Sequence, residues 1–311
     1  MSFKMVSPSL VDDDTLVTAG TTVAEPSGDD PVVYDAANDF ALGDKVFVGA
    51  GFHKIYECIQ AHTAAGGAQS PTASSSLYWV VQRSTNRWKP FDQFIADPAS
   101  QADSAVWVLN VPDLVNAVAL FGLSAATVRV VLLDAGGVER YDRTVDLDDN
   151  SGVIDWYSYW FSPSIRRTEL LLTDLPPYAD ATITVTVTDT GNTVLVGQIV
   201  LGMSEELGDT ADGVGLSIED FSRKERDAFG RYSITERAYA DEMSLSFFVD
   251  TARLGYIRRQ LSKRRALPTV YSVDTRYLEN EYIIYGFFPT MQPIAQFAEK
   301  SEIVIEMEGL V

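Results

Sequence analysis

The chain has 311 residues, of which 46% are hydrophobic, and its formal net charge is −20. That apolar content is enough to build two or three packed domains and excludes a disordered chain. One cysteine excludes an internal disulfide framework, and two histidines leave few ligands for a metal, so we predict no metal and no cofactor.

Residues 1–33 predict an N-terminal strand followed by a linker. The strand is expected at residues 15–24, and the segment after it contains Pro26, Gly28 and Pro31. This strand is a candidate to complete the sheet of a later domain, with another module inserted after it. The N-terminus has no apolar run of signal-peptide length, and the longest apolar stretch, residues 194–203, is too short to span a bilayer. We therefore predict neither export nor membrane insertion.

Residues 34–94 predict a small three-stranded module. Two short hydrophobic strands, at 45–48 and 54–60, are joined by a glycine turn, and a third strand carries Trp79. About 60 residues without a disulfide are marginal as a free domain, so we expect the module to pack on its neighbours.

The order of aromatic, glycine and turn residues in this module resembles that of chitin-binding-type modules in carbohydrate-binding proteins. The segment from Thr85 to Asp92, TNRWKPFD, is similar to one that follows such modules in tail-tip and baseplate proteins of bacteriophages. The resemblance implies that Tyr34, Tyr56 and Trp79 stack on sugar rings. Two alternatives remain open, namely that these rings form the core of the module or that they contact a neighbouring chain.

Residues 95–215 predict a β-sandwich, because short alternating strands follow one another at regular turns. In the stretch 182–188, Ile183, Val185 and Val187 share one face, and a hairpin turn is expected at 189–192. The block resembles galactose-binding-like jelly rolls, which implies loops at one end that hold a sugar or a calcium ion. For the acidic loop 146–152, a solvated turn is favoured over a calcium site.

An aromatic run within this block, residues 156–161, holds five aromatic side chains in six residues. Alternation along a strand would place Trp156 and Trp160 on one side and half of the rings in the core. We take Trp156 and Trp160 as candidates to contact carbohydrate or to anchor a protein interface.

Residues 216–311 predict an α+β domain with the order ββαβββ. Its helix is expected at 251–265, and the window from Phe221 to Arg276 carries a net charge of +5, so the remainder carries −25. Candidate interface cations on the helix are Arg258, Arg259, Lys263, Arg264 and Arg265. Candidate interface anions on the last strand, expected to be an acidic edge, are Glu302, Glu306 and Glu308. The alternative is a solvated helix face.

The order of elements in this last domain resembles the ring-forming domain of distal-tail or baseplate proteins in long-tailed phages. The resemblance implies assembly into a ring with further copies of the chain and contact with other phage tail proteins. No nucleophile elbow, phosphate loop, dinucleotide fingerprint or zinc-protease helix is present, so we predict that the chain is not an enzyme. The anionic remainder also argues against a nucleic acid partner.

The sequence thus predicts a mainly β, multi-domain chain with a small three-stranded module, a jelly-roll-like sandwich and an α+β assembly domain. We expect a structural virion protein of a phage tail tip or baseplate, located in the tail of the virion after assembly in the host cytoplasm. Its partners would be copies of itself, other tail proteins and a host surface glycan. The alternatives are a free carbohydrate-binding or adhesin-like protein and, in a third class, a glycan hydrolase.

Overall fold

A computed structural model of the protein describes residues 2–28, 30–49, 51–63, 69–73, 76–149, 153–161, 165–226, 229–274, 282–294 and 299–311. Strands make up 56% and helices 8%, which confirms the predicted mainly β, multi-domain fold.

The strands in chain order fall into three groups. The N-terminal part and the module contain β1 (Ser2–Pro8), β2 (Leu16–Val17), β3 (Lys45–Val48), β4 (Lys54–Cys58) and β5 (Trp79–Ser84). The central part contains β6 (Ala99–Val111), β7 (Ala117–Phe121), β8 (Thr127–Leu133), β9 (Glu139–Asp146), β10 (Asp148–Asp149), β11 (Ile165–Arg166), β12 (Leu170–Leu172) and β13 (Ala181–Val196). The last part contains β14 (Gln198–Asp220), β15 (Arg223–Arg226), β16 (Tyr232–Thr235), β17 (Tyr239–Asp250), β18 (Thr269–Asp274), β19 (Tyr282–Ile294) and β20 (Lys300–Gly309).

Two α-helices lie in the described part of the chain, α1 (Trp156–Phe161) and α2 (Thr251–Lys263), with a short 3-10 helix at Lys89–Phe91. The helix expected at 251–265 is confirmed as Thr251–Lys263, and so are the three strands expected after it. The predicted order ββαβββ is incomplete before the helix, because three strands, β15, β16 and β17, follow the end of β14 there.

Six of the strands close into an antiparallel β-barrel. The order is β1-β18-β19-β20-β17-β14, and β14 pairs back with β1. Alternate residues of each strand point inward, as Phe247 and Ile305 do, and Phe3 and Tyr271 join them in the barrel core. Helix α2 packs on this core through two buried side chains, Ile257 and Leu261.

A β-sandwich adjoins the barrel through the long strand β14. The first residues of β14 pair with β7, which pairs with β12, so this end of the eight-stranded sheet extends beyond the barrel. A five-stranded sheet, β2-β6-β13-β8-β9, packs over it. The shared core contains Trp107, Leu109 and Ile183 from the second sheet and Leu120 from the first. Ile183, Val185 and Val187 are all fully buried, which confirms the predicted face of their strand.

The predicted N-terminal strand is shorter than expected but does complete the sheet of a later domain. Of residues 15–24 only Leu16–Val17 forms a strand, and it pairs with β6 at the end of the five-stranded sheet. A further strand that was not predicted, Ser2–Pro8, completes the barrel. Strand β14 also runs continuously through the predicted boundary at 215/216. The division into four domains stays a prediction.

The expected hairpin turn at 189–192 is a bulge. Strand β13 continues through it, and both halves pair with β6, with a shift in register between Thr188 and Thr193. The backbone N–H of Gly191 donates to the Asp103 carboxylate at 2.7 Å, so side chains satisfy the bulged backbone without reversing the chain.

Candidate functional site

The cations of α2 form an exposed, unneutralised surface. Arg258, Arg259, Lys263 and Arg265 are exposed, and Arg264 is half-buried. None of the ion pairs formed within the described part of the chain includes a residue of α2. Arg264 and Arg265 donate instead to the helix's own Gln260 and Ser262. The predicted cations thus lie together on α2 and the two residues that follow it, and none of them pairs with an acid among the described residues.

The predicted acidic edge is wrong in one respect, because β20 is an inner strand. It pairs with β17 on one side and β19 on the other. Ile303, Ile305 and Met307 fill the barrel, so by alternation Glu302, Glu306 and Glu308 lie on its outer face. The predicted anions therefore form a stripe along the outside of the barrel.

One member of this acidic stripe was missed by the sequence analysis. Glu242 of β17 is the direct cross-strand partner of Glu308, on the same outer face. Like charges directly opposite each other on neighbouring strands are destabilising. The alternation of β17 could have placed Glu242 outside, but only the register shows that it faces Glu308. We define the acidic stripe as Glu242, Glu302, Glu306 and Glu308.

A projecting arm was also missed. The ends of β14 and β17 extend past the barrel into the two-stranded hairpin β15–β16, and we define residues 216–226 and 229–239 as the arm. Every residue of β15 and β16 is exposed. Seven large apolar side chains of the arm are exposed: Leu216, Ile218, Phe221, Phe229, Tyr232, Ile234 and Tyr239. The net charge of this region did not reveal these apolar residues, because the arm also holds arginines.

The module's aromatic residues form its core. Tyr56 and Trp79 are 5% and 6% exposed. Tyr34, which is half-buried, meets Trp79 edge-on with ring centres 5.9 Å apart, and the Trp79 Nε1–H donates to the Gln69 carbonyl. A unit this small must use its largest side chains for packing. The sugar platform implied for Tyr56 and Trp79 is therefore wrong in this arrangement, and the core alternative holds.

The aromatic run forms helix α1 rather than the expected strand. Its five described rings are 62% to 79% exposed, with Trp156 and Trp160 at 79% and 70%, so none of them fills a core. Residues four apart meet on a helix, and the Tyr157 and Phe161 ring centres are 4.8 Å apart. Trp156 and Trp160 remain available to a ligand.

The segment from Thr85 to Asp92 is a structural connector. Asn86 and Ser100 exchange two hydrogen bonds, from Asn86 Nδ2 to the Ser100 carbonyl at 2.8 Å and from the Ser100 N–H to Asn86 Oδ1 at 2.9 Å. The Arg87 guanidinium donates to the Val23 carbonyl, and the Arg87 carbonyl accepts from Trp107 Nε1. This segment therefore attaches the module to the sandwich.

Glu25 and His53 complete this attachment. The Glu25 carboxylate accepts hydrogen bonds from Thr85 Oγ1 at 2.7 Å and Trp88 Nε1 at 3.0 Å, and it lies 2.9 Å from His53 Nδ1. The other ring nitrogen of His53 contacts the Asp13 carboxylate. Burial lowers the pKa of His53, but its bonds to Glu25 and Asp13 outweigh burial and raise it. With a carboxylate at each nitrogen, only the imidazolium can donate to both.

A second unusual carboxyl group lies between the barrel and the sandwich. Glu169 lines a cavity of about 290 Å³ together with Asp241 and Tyr285. Burial, with a contribution from the Asp241 carboxylate, raises the pKa of Glu169 to about 7. Neither acid forms an ion pair with any residue in the described part of the chain.

No protein-family model matches this chain, and no curated protein matches it in sequence. No helix among the described residues is both long and apolar enough to cross a membrane.

Proposed function

We propose that the chain is a structural protein of a long-tailed phage, located at the tail tip or baseplate, which self-associates into a ring. The exposed arm carries this proposal. An isolated two-stranded hairpin is at best marginally stable in water, and contiguous exposed apolar side chains mark interaction surfaces. Its seven exposed apolar residues therefore fit a segment that is completed by a neighbouring copy.

The rest of the architecture supports the same proposal. The barrel has no open sheet edge to aggregate through, so association is directed to its arm and its charged faces. The resemblance of the Thr85 to Asp92 segment to tail-tip proteins supports location in the virion tail, after assembly in the host cytoplasm. Other tail proteins would then be the further partners of the ring.

Sedimentation and negative-stain imaging of the purified chain test self-association. We expect concentration-dependent closed rings. We also expect Ile218→Ser with Ile234→Ser to raise the dissociation constant at least about tenfold, since fully burying one isoleucine side chain contributes about 1.5–3 kcal/mol. Leu10→Ser with Leu42→Ser is the matched control, because both leucines are exposed and lie outside the arm. Wild-type chains that stay monomeric at high concentration would contradict the proposal.

A second candidate function is carbohydrate binding, as in an adhesin-like protein or as a projecting element of the ring. The observation that favours it is α1, whose exposed Trp156 and Trp160 offer aromatic faces on which sugar rings stack. A glycan array probed with the isolated chain tests this function. An absence of binding to any glycan would contradict it and leave the structural role untouched.

A further inference from the structure

In a single chain, like charges lie close together both on α2 and on the acidic stripe. Arg259 and Lys263 are four residues apart on α2, where side chains are neighbours, and both are exposed. On the barrel, Glu242 faces Glu308 directly across two strands. The two surfaces have opposite sign, and each would be stabilised by contact with the other.

These two surfaces do not pair within one copy. Helix α2 packs on the inward-facing side chains of the barrel through Ile257 and Leu261, whereas the acidic stripe lies on the outer face of the barrel. No ion pair among the described residues joins α2 to Glu242, Glu302, Glu306 or Glu308.

We propose that α2 of one copy docks on the acidic stripe of the next copy, with Arg259 and Lys263 beside Glu242 and Glu308. The occupant is a second copy of this chain because the charges are complementary: the helix surface from 251 to 268 holds six cations and no acid, in a chain of net charge −20. This inference rests on the proposed self-association and names the surfaces that direct it.

The pairing is heterologous, since each copy uses two different surfaces. Heterologous contacts generate closed rings when the rotation between copies closes, and open filaments when it does not. Exposed ion pairs contribute little affinity individually, so the apolar arm supplies most of the binding energy. The charged surfaces set the orientation and speed of association, and they suppress wrong contacts.

Charge reversal of each surface tests the proposal. One variant carries Arg259→Glu and Lys263→Glu, and a second carries Glu242→Lys and Glu308→Lys. In each variant alone, residues 259 and 263 carry the same sign of charge as residues 242 and 308, so we expect its association to be at least about tenfold weaker than that of the wild type at low salt. An equimolar mixture restores both contacts, so we expect assembly to recover, with the two variants alternating around the ring.

Lys45→Glu with Lys54→Glu is the matched control, because it makes the same change in net charge on the small module. Circular dichroism and thermal melting check that each variant is folded. If Arg259→Glu/Lys263→Glu assembles as the wild type does, or if the mixture fails to recover, the pairing is wrong while self-association stands. Wild-type chains that remain monomeric would instead contradict the proposed function itself.

The recovery of the mixture also distinguishes the proposal from loss of folding. Two misfolded variants do not restore each other's assembly, whereas two folded variants with complementary charges do. Raising the ionic strength to about 1 M, where the Debye length is about 3 Å, is expected to abolish the difference between the mixture and the separate variants. A difference that persists unchanged in high salt would overturn the charge pairing.

Discussion

His53 and Trp88 stack with their ring centres 4.1 Å apart and their planes tilted by 19°. The first residue belongs to the module, and the second belongs to the connector that leads to the sandwich. Because Trp88 also donates to Glu25, the stack holds the imidazole between its two carboxylate partners. The charge of this ring therefore contributes to the attachment of the module, beside the hydrogen bonds of Asn86 and Arg87.

Stability should fall as pH rises past the His53 pKa. The folded pKa is raised, so the stabilisation is fully present below the unfolded value of about 6.5 and is lost as pH rises through the folded value. His53→Asn tolerates the residue's positive φ of 49° and removes the titration. We expect this variant to be about 2 kcal/mol less stable near pH 6 and closer to the wild type near pH 9. Urea denaturation at both pH values measures this, and parallel profiles for the two proteins would contradict it.

Glu25 sets the lower limit of the pH range in which the Glu25–His53 contact stabilises the protein. Burial acts to raise the pKa of Glu25, but its bonds to His53, Thr85 and Trp88 together lower it below the usual glutamate value of 4.5. Its contribution is present above that value and is lost as pH falls through the folded pKa. Glu25→Gln should therefore flatten the acid side of the stability profile and leave the alkaline side to His53. A variant that keeps the full acid transition would show that other carboxyl groups cause it.

Glu169 should make stability depend on pH in the direction opposite to that of Glu25. Its folded pKa of about 7 exceeds the usual glutamate value of 4.5, so the folded state holds an extra proton between these two pH values. Stability therefore falls as pH rises through this window. Glu169→Gln keeps the shape of the side chain without the charge, and we expect it to gain up to about 3 kcal/mol over the wild type near pH 8. Thermal melting near pH 4 and pH 8 tests this. An equal difference between the two proteins at both values would contradict it.

Position 202 should not tolerate a residue with a side chain. A Cβ there would lie 1.9 Å from the Ser7 carbonyl oxygen, where β14 and β1 close the barrel. We expect Gly202→Ala to destabilise the protein by about 3 kcal/mol, at the upper end for overpacking, because backbone must move. Gly28→Ala is the control, since nothing lies within 4 Å of its Cβ position. Urea denaturation that shows equal midpoints for the two variants would be inconsistent with the close approach.

Two tryptophan substitutions should separate packing from binding. Trp79→Ala removes a core ring of the module and should cost about 3–5 kcal/mol. Trp156→Ser with Trp160→Ser changes exposed rings and should alter stability by less than about 1 kcal/mol in total. If the chain binds a glycan through α1, only the second variant should lose binding while staying folded. Loss of binding in Trp79→Ala at a temperature where this variant is fully folded would indicate that the module takes part in glycan binding.

The sequence was most informative where the pattern is local. The alternation at 183–187, the helix stripe of Ile257 and Leu261, and the three strands after α2 all follow from periods of two or about 3.6 residues. The cations of α2 could be named because they lie on one helix. The outward placement of Glu306 followed in the same way from the alternation of its strand.

What the sequence could not supply was pairing at a distance. Strand β1 pairs with residues 202–209 and 270–274, and no local signal specifies partners so far along the chain. The Glu242–Glu308 contact depends on register, and the Glu25–His53 contact joins two loops. The run 156–161 was expected to form a strand but forms a helix. The spacing of apolar residues in so short a stretch is compatible with either structure.

Closure of the barrel by β1 bears on how the chain folds as it is synthesised. Strand β1 leaves the ribosome long before either of the strands it pairs with. About 270 further residues must be synthesised before the barrel core can enclose Phe3 and Met5. Such long-range pairing slows folding and leaves an unfinished sheet that is prone to mispair. The sandwich can form earlier, because most of its pairings join nearer segments. The assembly surfaces of the barrel would therefore become competent last, only when synthesis of the barrel strands is complete.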